Sequence, residues 1–148
     1  FSANLLLMVQ VLSRATINDF MVRDVITIPA ELTLDKLVDD YFFHYRHNTF
    51  PVVEDSDLIG LVNIHSIKEV AKEKWSTTQS KEIMFHISPA ITITPQHDVT
   101  EALEQMANNG IGRLLVLESM KGKPKLVGII SRHDILKLFA FKSEVGAN

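Results

Sequence analysis

The apolar positions of this chain form a pattern that occurs twice. Ile26-Thr27-Ile28 returns 65 residues later as Ile91-Thr92-Ile93. Each triplet follows a methionine (Met21, Met84) and precedes a proline (Pro29, Pro95). Past the proline the apolar period lengthens. Leu34, Leu37, Val38 and Tyr41 lie at i, i+3, i+4 and i+7, which predicts a helix capped by Thr33. Val99, Ala102, Leu103 and Met106 share that spacing behind Asp98, with Glu101 three residues on from the cap. Gly110 is placed to end this helix in a left-handed conformation. Two strands follow in each copy. The first copy has Phe50 to Val53 and Leu58 to Val62 around a short turn with Asp55 and Asp57; the second has Leu114 to Leu117 and Leu126 to Ile130 around a longer turn with Gly122 and Pro124. Gly60 and Gly128 match at a shift of 68, so the second copy loses one residue before its first strand and gains four, expected in the turn. A closing helix is predicted in each copy, Ile64 to Lys72 and Arg132 to roughly Lys142, the latter with Ile135, Leu136, Leu138 and Phe139 on it.

Each copy therefore reads strand–helix–strand–strand–helix over about 60 residues, too few to bury a comfortable core alone. The predicted architecture is α/β (α+β): two βαββα repeats, residues 17–79 and 80–142, packed sheet to sheet about a pseudo-twofold axis. The cleft between them is where a small ligand is expected. Residues 1–16 are expected to form an N-terminal helix or a link to an upstream domain, and residues 143–148 a tail. The chain begins at Phe1 without an initiator Met, so it is expected to be a piece of a longer protein; the alternative for residues 1–16 is a helix packed on this domain's own core.

Composition narrows the class. The chain has 148 residues, 46% hydrophobic and 22% charged, an ordinary globular mix able to bury a core. A formal net charge of −3 argues against a nucleic-acid binder that relies on a broad basic face. There is no cysteine, hence no disulfide framework and no thiolate metal site, in keeping with a cytoplasmic setting. No apolar run reaches the roughly 18 residues of a membrane span. The nearest, Leu5 to Leu12, is interrupted by Gln10 and lacks the basic start and cleavage site of a signal peptide.

Candidate chemistry concentrates in Gly128-Ile129-Ile130-Ser131-Arg132-His133-Asp134, an apolar strand running into a polar helix start. Ser131 sits at the N-cap and Asp134 three residues on, the spacing of a capping box. A helix N-terminus with unpaired N–H groups is also an anion site, where Ser131 can donate to a phosphate and Asp134 accept from ribose hydroxyls. No catalytic constellation is present. None of the six histidines is followed by Glu, so the HExxH zinc-protease motif is absent, and there is no P-loop, glycine-rich dinucleotide fingerprint or nucleophile motif. His44 and His47 have a spacing that two metal ligands can use, but near a helix C-terminus they also suit the dipole, and no metal site is assigned.

The pattern resembles the tandem CBS domain pair, or Bateman module, over residues 17–142. The resemblance rests on Phe50-Pro51-Val52-Val53-Glu54, Leu58-Ile59-Gly60-Leu61 and, above all, Gly128 to Asp134, which fits the family's adenosine-binding pattern of Gly, apolar, any, Ser or Thr, two spacers, Asp. A narrower likeness joins Tyr41-Phe42-Phe43-His44-Tyr45-Arg46-His47, Lys74-Trp75-Ser76-Thr77 and Phe1 to Arg14 to the CBS pair at the C-terminus of site-2-protease-type membrane zinc metalloproteases.

The resemblance implies a non-catalytic regulatory module that binds an adenine nucleotide (AMP, ADP or ATP) and controls a partner domain. That domain would be a membrane zinc metalloprotease upstream of this fragment, with the CBS pair at the cytoplasmic face of the membrane. Any zinc would belong to the parent, and no cofactor to this fragment. Carried over residue by residue, Ser131 and Asp134 would hold phosphate and ribose. Ile129 would line the adenine slot with Val25 opposite, Arg113 would reach the phosphates, and His47 and His133 are further candidates. The alternative for Arg113 is an exposed charge at a strand end. In the first copy Asn63 and Ser66 stand where the second has Ser131 and Asp134, so one competent site is expected; losing a charged acceptor of roughly 1.5–3 kcal/mol weakens binding about ten- to a hundredfold. Phe42, Phe43, Tyr45 and Phe50 crowd one short helix and its exit, so some of them are expected to face outward as a homodimer surface. Pro89 is read as stiffening the start of the second repeat, and Trp75 as packing on the adjoining helix. The alternative function is a structural or dimerisation module whose Ser131 and Asp134 only cap a helix.

Overall fold

The computed structural model describes residue 10 and residues 15–144. Most of the helix expected over residues 1–16 and residues 145–148 of the expected tail thus lie outside the described residues, while residues 143 and 144 continue the last helix. In chain order the elements are α1 (Ile17–Phe20), β1 (Ile28–Pro29), α2 (residues 34–45), β2 (Thr49–Glu54), β3 (Asp57–Asn63), α3 (Ile64–Lys68), β4 (Phe85–His86), β5 (Thr92–Ile93), α4 (Val99–Asn109), β6 (Arg113–Met120), β7 (Lys123–Ser131) and α5 (Arg132–Glu144). They divide into two compact units: Phe1–Val25 with Ser88–Asn148 (unit 1), and Ile26–Ile87 (unit 2). The units cut across the repeats. Residues 17–25, which open the first repeat, belong to unit 1, and residues 80–87, which open the second, belong to unit 2.

Unit 2 is built on a four-stranded sheet of order β1-β2-β3-β4. β1 is parallel to β2, with Ile28 level with Val52; β2 and β3 form an antiparallel hairpin, and β4 pairs with β3 through Gly60 and Leu61. Helix α2 turns Leu34, Leu37 and Phe42 onto a core with Phe50, Val52 and Val62. Trp75 packs against that core, and its Nε1–H donates to the Val70 carbonyl at 2.9 Å. Unit 1 has the same plan: β5 parallel to β6, β6 and β7 a hairpin, and an isolated antiparallel bridge from Val22 to Ile129 at the outer edge of β7. Its core takes Ile17 and Phe20 from α1, Val99, Ala102 and Met106 from α4, and Ile135 from α5.

The two units match in detail, and the matches correct the reading of the insertions. Each hairpin has a register shift at the same place, between Val52 and Val53 and between Val116 and Leu117. Each closes on a two-residue turn with positive φ at both positions, Asp55 and Ser56 (50° and 70°) or Lys121 and Gly122 (54° and 79°), the pattern of a type I′ turn. The second turn is therefore no longer than the first. The four extra residues lengthen the strands instead: β6 and β7 have 8 and 9 residues against 6 and 7 in β2 and β3. The extra residue of the first copy lies inside α2, which takes a π-turn over Val38–Phe42 before a left-handed Arg46 (φ 58°). In α4 the run from Asp98 to the left-handed Gly110 (φ 71°) is one residue shorter and regular. The closing helix of the first copy is also shorter than expected. It stops at Lys68, and a 3-10 turn over Lys72–Thr77 follows.

Neither Thr33 nor Asp98 caps its helix through the side chain. A crossing segment supplies carbonyls instead: Leu34 N–H donates to Thr78 O at 3.0 Å, and Val99 N–H to Ala15 O at 3.1 Å. Residues 78–84 and 15–21 are thus equivalents. Each closes its own capping box: Gln79 N–H donates to Glu82 Oε2 at 2.6 Å, and Thr16 N–H to Asp19 Oδ2 at 3.3 Å. Each ends on a methionine laid over a strand glycine. A Cβ at Gly60 would meet Met84 Sδ at 2.5 Å, and one at Gly128 would meet Met21 Sδ at 2.8 Å. Only glycine leaves room for the crossing chain at these two positions.

Candidate ligand-binding site

The Gly128–Asp134 stretch ends β7 and opens α5. Three features place its side chains. Gly128 admits the crossing segment, and Val22 and Ile129 then exchange both backbone hydrogen bonds, at 2.8 and 2.9 Å. Ser131, the last residue of β7, is level with Arg113, the first of β6. The Arg132 N–H donates to Gly112 O at 3.2 Å and holds the strand ends together where the helix begins.

At this junction Ser131 is 4% exposed, and its Oγ accepts the Asp134 N–H at 3.0 Å. The serine therefore caps α5, and its own O–H remains available to donate. The reciprocal half of the capping box is not made: among the described residues the Asp134 carboxylate takes no hydrogen bond and no ion pair shorter than 4.0 Å. Asp134 is half-buried, and its charge acts on Arg113. Burial pushes the Arg113 guanidinium below its ordinary value and the Asp134 carboxylate pulls it back up; the group stays protonated, as arginine does in proteins. The geometry thus gathers a buried hydroxyl, the Asp134 carboxylate and a half-buried guanidinium, whose Nη1 already donates to Gly112 O at 3.3 Å, at the N-terminus of a 13-residue helix. Chemically, such a set can hold an anionic group next to a diol.

The sequence-derived residues distribute as follows. Ser131, Asp134, Arg113 and Ile129 come together at this strand-end junction of unit 1. Val25 is the last residue of the unit-1 segment that passes Ile129, and His133 is exposed on the first turn of α5. His47 belongs to unit 2, where its ring stacks near Phe50 and Tyr45, with centroids 5.8 and 6.3 Å apart. Among the described residues no group of three His, Asp or Glu side chains is placed to hold a metal ion, and no helix is long and apolar enough to cross a membrane.

The equivalent junction in unit 2 is chemically closed. Thr49 and Asn63 stand where Arg113 and Ser131 stand, and both are buried. Asn63 Nδ2 donates to Thr49 Oγ1 at 2.9 Å, and Asn63 Oδ1 accepts the His65 N–H at 2.9 Å. Asn63 is thus engaged by Thr49 and by the start of α3, and neither position carries a charge. Sequence reasoning identified Asn63 as a departure but missed Thr49 as its partner. The signal was available in the register, since Thr49 precedes Val52 by the same three residues that separate Arg113 from Val116.

Comparison with known proteins agrees with this architecture. The CBS domain pattern matches residues 17–73 and again residues 81–140. The chain belongs to the CBS domain family. Its CBS pair is similar to that of Rip3 from Mycobacterium tuberculosis, a protein with a provisional zinc-metalloprotease name, at 29% identity over 131 residues, 87% of this chain and 32% of Rip3. It is also similar to the zinc metalloprotease MJ0392 of Methanocaldococcus jannaschii, at 26% identity over 119 residues, 80% of this chain and 30% of that protein. The chain thus spans about a third of the length of these relatives. Among solved structures, the CBS domain of a bacterial CNNM/CorC family Mg2+ transporter in complex with ATP superposes with a TM-score of 0.77 at 13% identity, covering 94% of this chain and 96% of that one. At that identity the likeness establishes the mixed α+β fold of a CBS pair.

Proposed function

We propose that this CBS pair is a regulatory module that binds one adenine nucleotide at the Ser131–Asp134 junction and controls a membrane zinc metalloprotease domain of the same protein. The observation that carries the nucleotide reading is the asymmetry between the two junctions. In unit 2 the polar side chains are consumed by one another; in unit 1 Ser131 caps the helix while the Asp134 carboxylate stays uncommitted beside Arg113. A solved CBS pair of the same fold is in complex with ATP, which supports the ligand class. Phosphate falls to Ser131 O–H, Arg113 and the helix N-terminus, ribose to Asp134, and the base to Ile129 with Val25. The nucleotide can act on a neighbouring domain only through different affinities for two states of the pair.

The metalloprotease partner is supported by the names of the relatives and by how little of their length this chain spans. That partner would place the module at the cytoplasmic face of a membrane, with any zinc held by the upstream domain. Self-association into a homodimer is supported by Phe43, 72% exposed on α2.

Titration calorimetry with AMP, ADP and ATP tests the nucleotide reading. We expect one site per chain and a ten- to hundredfold loss of affinity in Asp134→Ala, about the value of a charged hydrogen-bond acceptor. If no adenine nucleotide binds at millimolar concentration, the module is structural, and Ser131 serves as a helix cap alone.

A further inference from the structure

We propose that the β6–β7 hairpin is an electrostatic finger that docks on an anionic phospholipid surface, an inference that rests on the reading that a membrane domain is joined upstream. The last rungs of the hairpin carry Lys121, Lys123 and Lys125, all exposed, in a chain of net charge −3. Among the described residues none of the three lysines is engaged in an ion pair. Glu118, across the ladder from Lys125, is the single acid of residues 118–125. Met120 stands 47% exposed at the tip, an apolar side chain ringed by cations, as suits a bilayer interface. The basic tip is not a requirement of the fold, because the equivalent hairpin of unit 2 turns on Asp55 and Ser56, followed by Asp57, and has shorter strands.

The position of the finger within unit 1 strengthens the assignment. β5 runs parallel to β6 with Ile93 level with Val116, so the loop after Ile93 lies at the hairpin end of the sheet. That loop receives the incoming chain: Ile17 N–H donates to His97 O and Asn18 N–H to Pro95 O, both at 2.9 Å, and Thr16 bridges Asp98. Thr16, Ile17 and Asn18 therefore lie at the end of unit 1 from which the lysines project. Asp19, Asp98 and Glu101 are exposed at this end and would oppose an anionic surface. β6 runs four residues past Val116 to Met120, roughly 13 Å at about 3.3 Å per residue. That reach exceeds a Debye length of about 8 Å at physiological salt, so the lysines meet the surface ahead of the acids.

Each lysine near an anionic surface strengthens binding about fivefold, and three together about a hundredfold, falling with salt. The test is flotation of the chain with vesicles of phosphatidylcholine, alone or mixed with phosphatidylglycerol, at low ionic strength. Binding to the mixed vesicles only, lost at high salt and lost in the Lys121→Ala/Lys123→Ala/Lys125→Ala variant but kept in the triple Lys→Arg variant, supports the finger. Unchanged melting of the alanine variant shows that it is folded. No binding to anionic vesicles, binding that ignores the triple substitution, or a lysine-dependent self-association in place of lipid binding overturns it. Asp134→Ala is expected to bind vesicles normally, so loss of the nucleotide site and loss of the finger are read separately. Upstream membrane spans are tested independently, by the reading frame preceding Phe1.

Discussion

The crossing segments give the sharpest quantitative test, because the two strand glycines meet them at different distances. An alanine Cβ at Gly60 would lie 2.5 Å from Met84 Sδ and 2.5 Å from the Phe85 carbonyl oxygen. At Gly128 the corresponding distances are 2.8 Å to Met21 Sδ and 3.0 Å to the Val22 oxygen. A methionine tip can swing away at little cost, but a backbone carbonyl in a strand cannot. To reach ordinary contact at 3.4 Å, Phe85 must retreat by about 0.9 Å and Val22 by about 0.4 Å. The first displacement stretches the β3–β4 pairing; the second can be shared among neighbours. Overpacking costs about 1–3 kcal/mol, and each weakened backbone hydrogen bond adds about 1 kcal/mol. Reduced freedom of the unfolded chain returns about 0.4–1 kcal/mol to both variants.

The expected net losses are therefore about 2–3 kcal/mol for Gly60→Ala and at most about 1 kcal/mol for Gly128→Ala. Urea unfolding measures both. Trp75, the chain's one tryptophan, packs on the unit-2 core, so its fluorescence follows that unit, while circular dichroism follows both. A Gly128→Ala loss equal to or larger than that of Gly60→Ala would refute the account, as would two losses below about 0.5 kcal/mol. Because Val22 is bonded to Ile129, the Gly128 variant is also expected to weaken nucleotide binding, and the Gly60 variant to leave it unchanged.

Two further outcomes follow from the side-chain geometry. Ser131→Ala removes a buried cap and should lower stability by about 1 kcal/mol, whereas Asp134→Ala leaves the backbone N–H in place and should lower it by under about 0.5 kcal/mol; equal losses in thermal or urea unfolding would mean that the carboxylate serves the fold. Phe43→Ser should convert a sedimenting dimer to monomer without loss of stability, because Phe43 is 72% exposed; a wild-type chain that sediments as a monomer at high concentration would remove the homodimer from the proposal.

The repeat was legible because its signals are local. Period-2 and period-3.6 runs, a repeated Ile-Thr-Ile and two aligned glycines are enough to order the elements of both copies. What was not legible is where each length difference is absorbed. An extra residue in an amphipathic stretch looks the same whether it loosens a loop or widens a helix turn; here packing of Leu34, Leu37 and Phe42 into one core keeps the helix and forces the π-turn. Four extra residues between two strands look like a long turn, yet Lys121 and Gly122 accept positive φ, which lets the ladder continue to a tight reversal. The helix starts were half legible for a related reason. Thr33 and Asp98 stand at the N-cap positions, but neither side chain accepts a helix N–H, and the carbonyls that Leu34 and Val99 donate to belong to distant segments that sequence spacing does not report.

The same limit explains how the candidate site could be half read. Ser131 and Asp134 are near neighbours, and their spacing announces a helix start; Arg113 joins them only because β6 and β7 pair in register. In unit 2 that register brings Thr49 to Asn63, and a buried amide has four hydrogen-bonding sites to satisfy. Thr49 and the His65 N–H take two of them, and even with Asn63 replaced by Ser and Ser66 by Asp the junction would lack a cation, since Thr49 stands where the second copy has Arg113. The difference between the copies is therefore a property of three positions acting together across two strands and a helix. The two junctions share a fold, and that triplet alone decides that one carries a guanidinium and a carboxylate and the other carries neither.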